Sequence, residues 1–438
     1  MAVNLDDLPL PDELPVIPND WHYESLGDLV EERGVSYGIV QPGTETTNGV
    51  PIVRVNNIRN GRIDTTDMLK VESGVEAKFQ RSRLRGGEVL LTLVGTLGEV
   101  AIVPQNLSGW NVARAVGVIP VRKDPGSLWV SICLRSAFLQ HCIRTWATTT
   151  VQATFNLRDL AKLPIPVPPK RKREAISQVL GGLDDKIELN RRMNATLEAM
   201  ARALFQSWFA DFDPVRDKLD GRQPVGLDDA TAALFPAHFQ ESTLGPIPQG
   251  WRACTLDEVI EISDSKRVPL SGRERALRHG QYPYHGAASV MDHVNDFRFD
   301  GIYVLMGEDG SVINDDGTPV LQYVWGKFWV NNHAHVLRGR NDVSTEHVLL
   351  HLKNCNIAPF VNGAVQLKLN QGNMNRIPFI LPPPEISGIF AKIIEPFFAQ
   401  IRANTEQSRT LAALRDTLLP KLLSGELSLK NLEKMAVA

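Results

Sequence analysis

The sequence predicts an α+β protein built as an internal pseudo-twofold repeat: two mixed, strand-rich domains, each followed by a long helix. Three observations carry that reading. A Trp-led motif occurs twice, a Pro-rich motif occurs twice, and a three-four spacing of apolar residues follows each Pro-rich motif. Ile17-Pro18-Asn19-Asp20-Trp21 returns as Ile247-Pro248-Gln249-Gly250-Trp251, 230 positions on, and Leu26 and Glu31 meet Leu256 and Glu261 at the same offset. Downstream the offset is 214: Asn156 faces Asn370, Leu163-Pro164 faces Ile377-Pro378, Pro168-Pro169 faces Pro382-Pro383, and Leu204 faces Leu418. The offsets differ by 16, so the second half carries the shorter insert between its Trp entry and its Pro-rich exit.

The elements follow in order. Met1 to Pro18 is acidic and Pro-rich and lacks the basic and apolar pattern of a leader. Val50 to Ile58 and Glu88 to Val103 are rich in Val, Ile, Leu and Thr and predict strands, with Gly95-Thr96-Leu97-Gly98 as a hairpin turn. A short helix fits Leu128 to Trp146. Pro164 to Pro169 cannot join a helix interior. Beyond it Ile176, Leu180, Leu183, Ile187, Asn190, Asn194, Leu197, Ala201, Leu204 and Trp208 alternate three and four apart, which predicts a coiled-coil seam. Asp211 to Thr243 is polar, with one apolar patch at Ala230 to Phe235, and reads as a linker. In the second half Gly301 to Met306, Val320 to Trp325 and Phe328 to Leu337 predict strands, and Glu346 to Cys355 a helix. Phe390, Ile394, Phe397, Ile401, Asn404, Ser408, Leu411, Arg415, Leu418 and Leu422 repeat the seam. Asn190 and Asn404 share one seam position, where a buried amide fixes register because a slipped pairing would leave it unsatisfied. Pro396 should kink the second helix or mark its true start.

Composition narrows the function. The chain has 438 residues, 43% apolar and 22% charged, enough for a sizeable core and unlike a disordered chain. No apolar run approaches the ~18 residues of a membrane helix. Four scattered cysteines and no CxxC argue against a disulfide frame, a zinc site or a redox pair. A net charge of −3 argues against coating nucleic acid unaided but leaves room for local basic patches. No GxxxxGK[ST] string occurs, and neither Pro-Pro run is followed by the aromatic residue of a base-flipping methyltransferase loop. Asp67, Glu76 and Lys78 have a loose nuclease-like spacing that charged surfaces often show by chance. His333 and His335 alternate along a predicted strand and so share a face; no third metal ligand is evident, and a structural or DNA-facing pair is expected.

What remains is binding chemistry. Lys78, Arg81, Arg83 and Arg85 crowd one loop of the first half, and Lys266, Arg267, Arg273, Arg275, Arg278 and His279 crowd one loop of the second. Such clusters suit phosphates, and Arg can also fork onto guanine. Lys170 to Arg173 is a third run, at a helix start where positive charge opposes the dipole. Surplus apolar residues at the helix ends, Trp208, Phe209, Leu422 and Leu423, are expected to dock partner helices.

Four stretches carry a family resemblance: Leu163-Pro164-Ile165-Pro166-Val167-Pro168-Pro169, then Leu204-Phe205-Gln206-Ser207-Trp208-Phe209 with Asp211-Phe212-Asp213-Pro214, then Leu244-Gly245-Pro246-Ile247-Pro248-Gln249-Gly250-Trp251, and Leu418-Leu419-Pro420-Lys421-Leu422-Leu423-Ser424-Gly425-Glu426-Leu427. In that order they resemble the specificity subunit of type I restriction–modification systems. The resemblance implies two target recognition domains and two helical regions packed as an antiparallel coiled coil. The boundaries are 1–16 amino-terminal extension, 17–162 first recognition domain, 163–213 first helical region, 214–246 linker, 247–376 second recognition domain, 377–430 second helical region and 431–438 tail. It further implies a non-catalytic, cytoplasmic chain that reads an asymmetric bipartite site in double-stranded DNA. Two methyltransferase subunits, and restriction endonuclease subunits, would dock on it, with S-adenosylmethionine, ATP and Mg bound by those partners and none by this chain. Tyr37, Gln41, Arg54 and Asn56 resemble recurrent pieces of such domains and are expected to read or position DNA; Gly307 to Gly310 and the strand into Asn331-Asn332-His333 form the equivalent region. The alternatives are a self-contained restriction or methylation enzyme, which the missing motifs oppose, and a coiled-coil scaffold without a DNA role.

Overall fold

A computed structural model describes residues 14–149, 153–363 and 366–427. Most of the amino-terminal extension and all of the tail lie outside the described residues. The chain divides into two compact units, residues 1–188 with 408–438, and residues 189–407, so both long helices are shared between the units.

In the first unit a four-stranded antiparallel sheet has the order Ser36–Tyr37, Val116–Ile119, Val89–Thr92, Val100–Ile102. Val89–Thr92 and Val116–Ile119 are buried at every position, which is why they read as continuous apolar runs rather than alternating ones. The expected hairpin joins two strands of this sheet, and Gly95 and Gly98 take left-handed φ of 77° and 87° there. A second sheet sets Val50–Val53 antiparallel to Leu69–Val71 and parallel to Asn111–Val112. Finally His22–Ser25 pairs with Pro164–Val167, so the Trp-led entry clasps the Pro-rich exit. Pro164 and Pro166 lack an N–H, which a strand with one partner tolerates. Trp129 donates to the Pro166 carbonyl at 2.8 Å and meets Trp21 edge-on at 6.2 Å. Ile176, Leu180 and Leu422 carry this unit's portions of the long helices into the same core.

The second unit repeats the plan. Its main sheet runs Ile260–Ile262, Ala334–Gly339, Tyr303–Gly307, Leu321–Val324, the same spatial order with the same polarity. His279–His285 lies antiparallel to Val290–Val294 and parallel to Lys327–Val330, and Arg252–Thr255 clasps Pro378–Leu381. The first long helix, Lys170–Phe205, ends here in a π turn, Gln206–Ala210. The wider turn brings both Trp208 and Phe209 inward, against Phe235, Trp251 and Phe390. The second long helix, Pro384–Leu423, starts at Pro384 and continues through Pro396 without interruption.

The stretch read as a linker is folded. Asp213–Leu219 and Asp229–Leu234 are short helices, and Val215, Ala232 and Phe235 are buried in this unit's core. Its apolar patch is an anchor, and the polar residues around it are the solvent face of the same elements. Within this unit the helices pair antiparallel through amides. Asn190 Nδ2 donates to Gln407 Oε1 at 2.8 Å, and Asn404 Nδ2 donates to Asn194 Oδ1 at 2.9 Å. No helix among the described residues is long and apolar enough to cross a membrane.

Candidate nucleic-acid interface

The first unit carries a groove of about 760 Å³ at one end of its sheets. After Val50–Val53 the chain makes a 3-10 turn, Val55–Asn57, and then a small hairpin, Ile58–Arg59 against Arg62–Ile63. Asn60 and Gly61 form its tip with φ of 52° and 81°, the signature of a two-residue type I′ turn. Buried Asn57 pins the loop: its Oδ1 accepts from the Arg54 N–H at 2.9 Å and its Nδ2 donates to the Asp67 carbonyl at 3.0 Å. Glu99 accepts from the Asn60 N–H at 3.0 Å and holds the tip against the main sheet. Arg54, Asn56, Arg59, Asn60 and Thr96 line the groove, and Gly95, Ala113 and Ala115 keep part of its lining shallow. Guanidinium and amide groups over small residues are chemistry that can meet phosphates and base edges.

The residues singled out from the sequence separate into two groups. In the first unit Asn56, Gln41, Lys78 and Arg85 are exposed. Arg54 walls the groove with one nitrogen 2.8 Å from Asp67. Tyr37 accepts from the Leu157 N–H at 3.1 Å and stabilises the framework. Arg81 donates to the Arg33 carbonyl at 2.6 Å. Arg83 forks onto buried Glu76, Nε at 2.8 Å from Oε1, and this hydrogen bond, with help from Asn111, holds the Glu76 carboxyl below its usual range. Arg83 thus commits its fork to Glu76, and Arg81, though exposed, is tethered to the backbone at Arg33 and Val35, which leaves Lys78 and Arg85 as the cluster's cations without a side-chain partner among the described residues.

In the second unit Lys266, Arg273 and Arg278 are exposed. Arg267 lies 2.7 Å from Glu308 and 2.7 Å from the Ala334 carbonyl. Arg275 binds Asp292 at 3.1 Å and covers the Tyr284 ring at 5.2 Å. Both are internal braces. The expectation that His333 and His335 share a strand face is corrected: the strand starts at Ala334, His333 precedes it and is exposed, and His335 is buried. His335 Nδ1 is 2.6 Å from Asp264 and Nε2 is 2.8 Å from the Leu369 carbonyl, so it braces the core and cannot face DNA. Asp264, Glu308 and His335 cluster closely enough to resemble metal ligands, but the Arg267 guanidinium already neutralises both carboxylates.

The proposed partner contacts are also corrected. Trp208 and Leu422 are 2% and 1% exposed, Phe209 is buried, and Leu423 is half-buried against the first unit's core. Trp208, Phe209 and Leu422 are used by the protein's own cores, where a partner could not reach them without unfolding, and Leu423 is partly covered in the same way. At the third basic run, Lys172 pairs with Asp20 at 2.7 Å and Arg173 with Asp124. Arg59, Asn60 and Thr96 escaped the sequence reading, although Asn60-Gly61 flanked by Ile58 and Ile63 is a direct hairpin signal.

A repeated sheet with a polar, loop-built groove at one end is a scaffold whose chemistry suits nucleic acid, and comparison with known proteins gives its family. The type I restriction modification DNA specificity domain matches residues 18–199 and again 248–412. The chain belongs to that family: it is a DNA-specificity protein and not an enzyme. A Haemophilus influenzae chain named as a type I restriction enzyme specificity subunit is 33% identical over 161 residues, 37% of this chain and 40% of that one. A Methanocaldococcus jannaschii specificity subunit is 23% identical over 440 residues, 95% of each. The crystal structure of a type I restriction–modification S subunit from M. genitalium covers 94% of this chain and 99% of its own with a TM-score of 0.54 at 16% identity, a likeness of fold.

Proposed function

We propose that this chain reads an asymmetric, bipartite site in double-stranded DNA and carries two methyltransferase subunits, which restriction subunits can join. One observation carries the reading: the two units share strand order and polarity but close their sheets with different loops. A shared scaffold suits two duplex segments approached alike, and different loops suit two different sequences. S-adenosylmethionine, ATP and Mg would then serve the partners, and this chain would act in the cytoplasm with no cofactor of its own. Partner docking moves from the buried residues to exposed ones: Leu189, Met193 and Met200 stand on the first helix at 51%, 36% and 47% exposure, spaced four and seven apart. Spacing of that kind presents one stripe to a partner helix.

The test is methylome sequencing of a host with and without this chain, beside assays of the purified chain. The chain alone should leave DNA unmodified, and adding the methyltransferase should direct methylation to one motif of two unlike segments with an unread gap. A contiguous or palindromic motif, or modification by the chain alone, overturns the proposal. Replacing Met193 and Met200 with Glu should weaken co-purification of the methyltransferase while both units stay folded.

A further inference from the structure

The hairpin at the groove holds two like charges face to face. Arg59 and Arg62 are direct cross-strand partners in the register of Ile58–Arg59 with Arg62–Ile63. Like charges directly opposite destabilise a strand pair, and a two-stranded hairpin has little stability to spare. Arg62 is neutralised within the unit by Glu188 at 2.8 Å. Arg59 is exposed, its side chain makes no hydrogen bond or ion pair to any described residue, and it lines the groove beside Asn56. The surrounding polar groups are the ones already satisfied: Asn57 is spent on the loop and Glu99 on the hairpin tip. The chain thus builds a firm mount and leaves one guanidinium on it unpaired.

The second unit has no counterpart. Residues 54–68 join Val50–Val53 to Leu69–Val71, whereas only 286–289 join the equivalent strands His279–His285 and Val290–Val294, with the Gly286 N–H donating to the Ser289 carbonyl at 2.8 Å. The hairpin is therefore an addition to the repeated scaffold, not a part of it.

We infer that the Ile58–Ile63 hairpin is a base-reading element of the first unit, and that Arg59 is a specificity-determining residue that forks onto a guanine edge of duplex DNA. This deepens the proposed function and rests on it. Arginine suits the task because its two parallel donors match the paired acceptors of guanine in a rigid plane, whereas a lysine meets them as a flexible point charge.

The experiment uses the full chain with its methyltransferase. Wild type, Arg59→Ala and Arg59→Lys are compared by methylome sequencing and by binding to oligonucleotides substituted at each motif position. Arg59→Ala should relax a single guanine-bearing position in one segment, with discrimination there falling on the order of 10- to 100-fold and the other segment unchanged. Arg59→Lys should not restore it. Two results overturn the inference. One is an unchanged motif with uniformly weaker binding that Arg59→Lys recovers, which marks a phosphate contact. The other is no change in either variant. Thermal midpoints and circular dichroism of Arg59→Ala and Arg59→Lys, matched to wild type, show that a change of motif does not come from a loss of folding. If wild type itself directs no two-segment motif, the proposed function fails; if it does and Arg59→Ala leaves it intact, only this inference fails.

Discussion

The two units differ where a repeat is free to differ. Their main sheets keep one strand order, and each closes its entry strand on its Pro-rich exit. Between the equivalent second-sheet strands the first unit spends residues 54–68 and the second only 286–289. Between the last two strands of the main sheet's spatial order the balance reverses, with 93–99 in the first unit and 308–320 in the second. The basic clusters sit in different connections too: 78–85 follows Leu69–Val71, whereas 266–278 precedes His279–His285. The core was duplicated and the surface was not, which suits a protein whose two halves meet unlike sequences.

The comparison breaks if the cores are not separate. Trp208 packs on Phe235 at 5.0 Å and on Phe390 at 5.8 Å, all in the second unit. Trp208→Ala should cost about 3–5 kcal/mol and raise hydrogen exchange in Tyr303–Gly307 while Val89–Thr92 keeps its protection. Equal loss in both strands would mean that one core supports both units.

Acid should divide the units next. His347 is buried and His351 half-buried among Phe205, Phe209, Phe379 and Phe390, and desolvation there pushes them from 6.5 down to about 3 and about 4. Their folded values lie below their unfolded ones, so the unfolded chain binds more protons through this window. Stability is complete above pH ~6.5 and falls as pH drops toward ~4, by up to about 1.4 kcal/mol per pH unit for each histidine. The first unit contains only His22 and His141, both exposed. At pH 5 the second unit should lose stability on the order of a few kcal/mol and the first almost none. Circular dichroism with exchange mass spectrometry checks this, and His347→Phe should flatten the dependence.

A smaller effect separates how each unit braces its helices. The first uses charge: Asp184 accepts from Arg135 at 2.8 Å and from Arg415 at 2.7 Å. In the second, neutral amides, Asn194 and Asn404, meet directly between the helices, beside charged pairs to the domain such as Arg402 with Glu346 at 3.6 Å. Asp184→Ala leaves two half-buried guanidinium groups short of an acceptor and should cost about 1–3 kcal/mol, against about 1 kcal/mol for Asn194→Ala. Thermal midpoints of both variants in low and high salt decide it, since only the charged brace should respond to salt.

Much of this was legible in the sequence because it is periodic or local. The seam, the matched Asn190 and Asn404, the Gly95–Gly98 turn and the repeat all repeat or punctuate within a short window. The fate of the basic residues was not legible. Arg267 meets Glu308 and Arg83 meets Glu76 only once the chain has folded, so clustered charge on paper did not distinguish braces from contacts. Trp208 and Phe209 misled for a related reason: the π turn buries both, and Trp251 and Phe390 lie far along the chain. Arg59 was missed because it belongs to no run of charge, while its Asn60-Gly61 turn offered a signal of shape.

The smallest effect concerns the cations left over. Lys78 and Arg85 in one unit and Lys266, Arg273 and Arg278 in the other are exposed, and all of them occupy connections outside the repeated sheets. A side chain that only meets phosphate releases about one counterion on binding and carries no sequence information. Lys78→Ala and Arg273→Ala should therefore each flatten the slope of log affinity against log salt by ~0.9, weaken all sites alike and leave the methylated motif intact. Because the two clusters lie in inequivalent connections, each unit could place its cation differently on the duplex, yet the slopes should respond equally, since counterion release counts charges and not positions. A variant that shifts the motif would move that residue from the phosphate set to the reading set. A variant that leaves the slope unchanged would make it a solvated face.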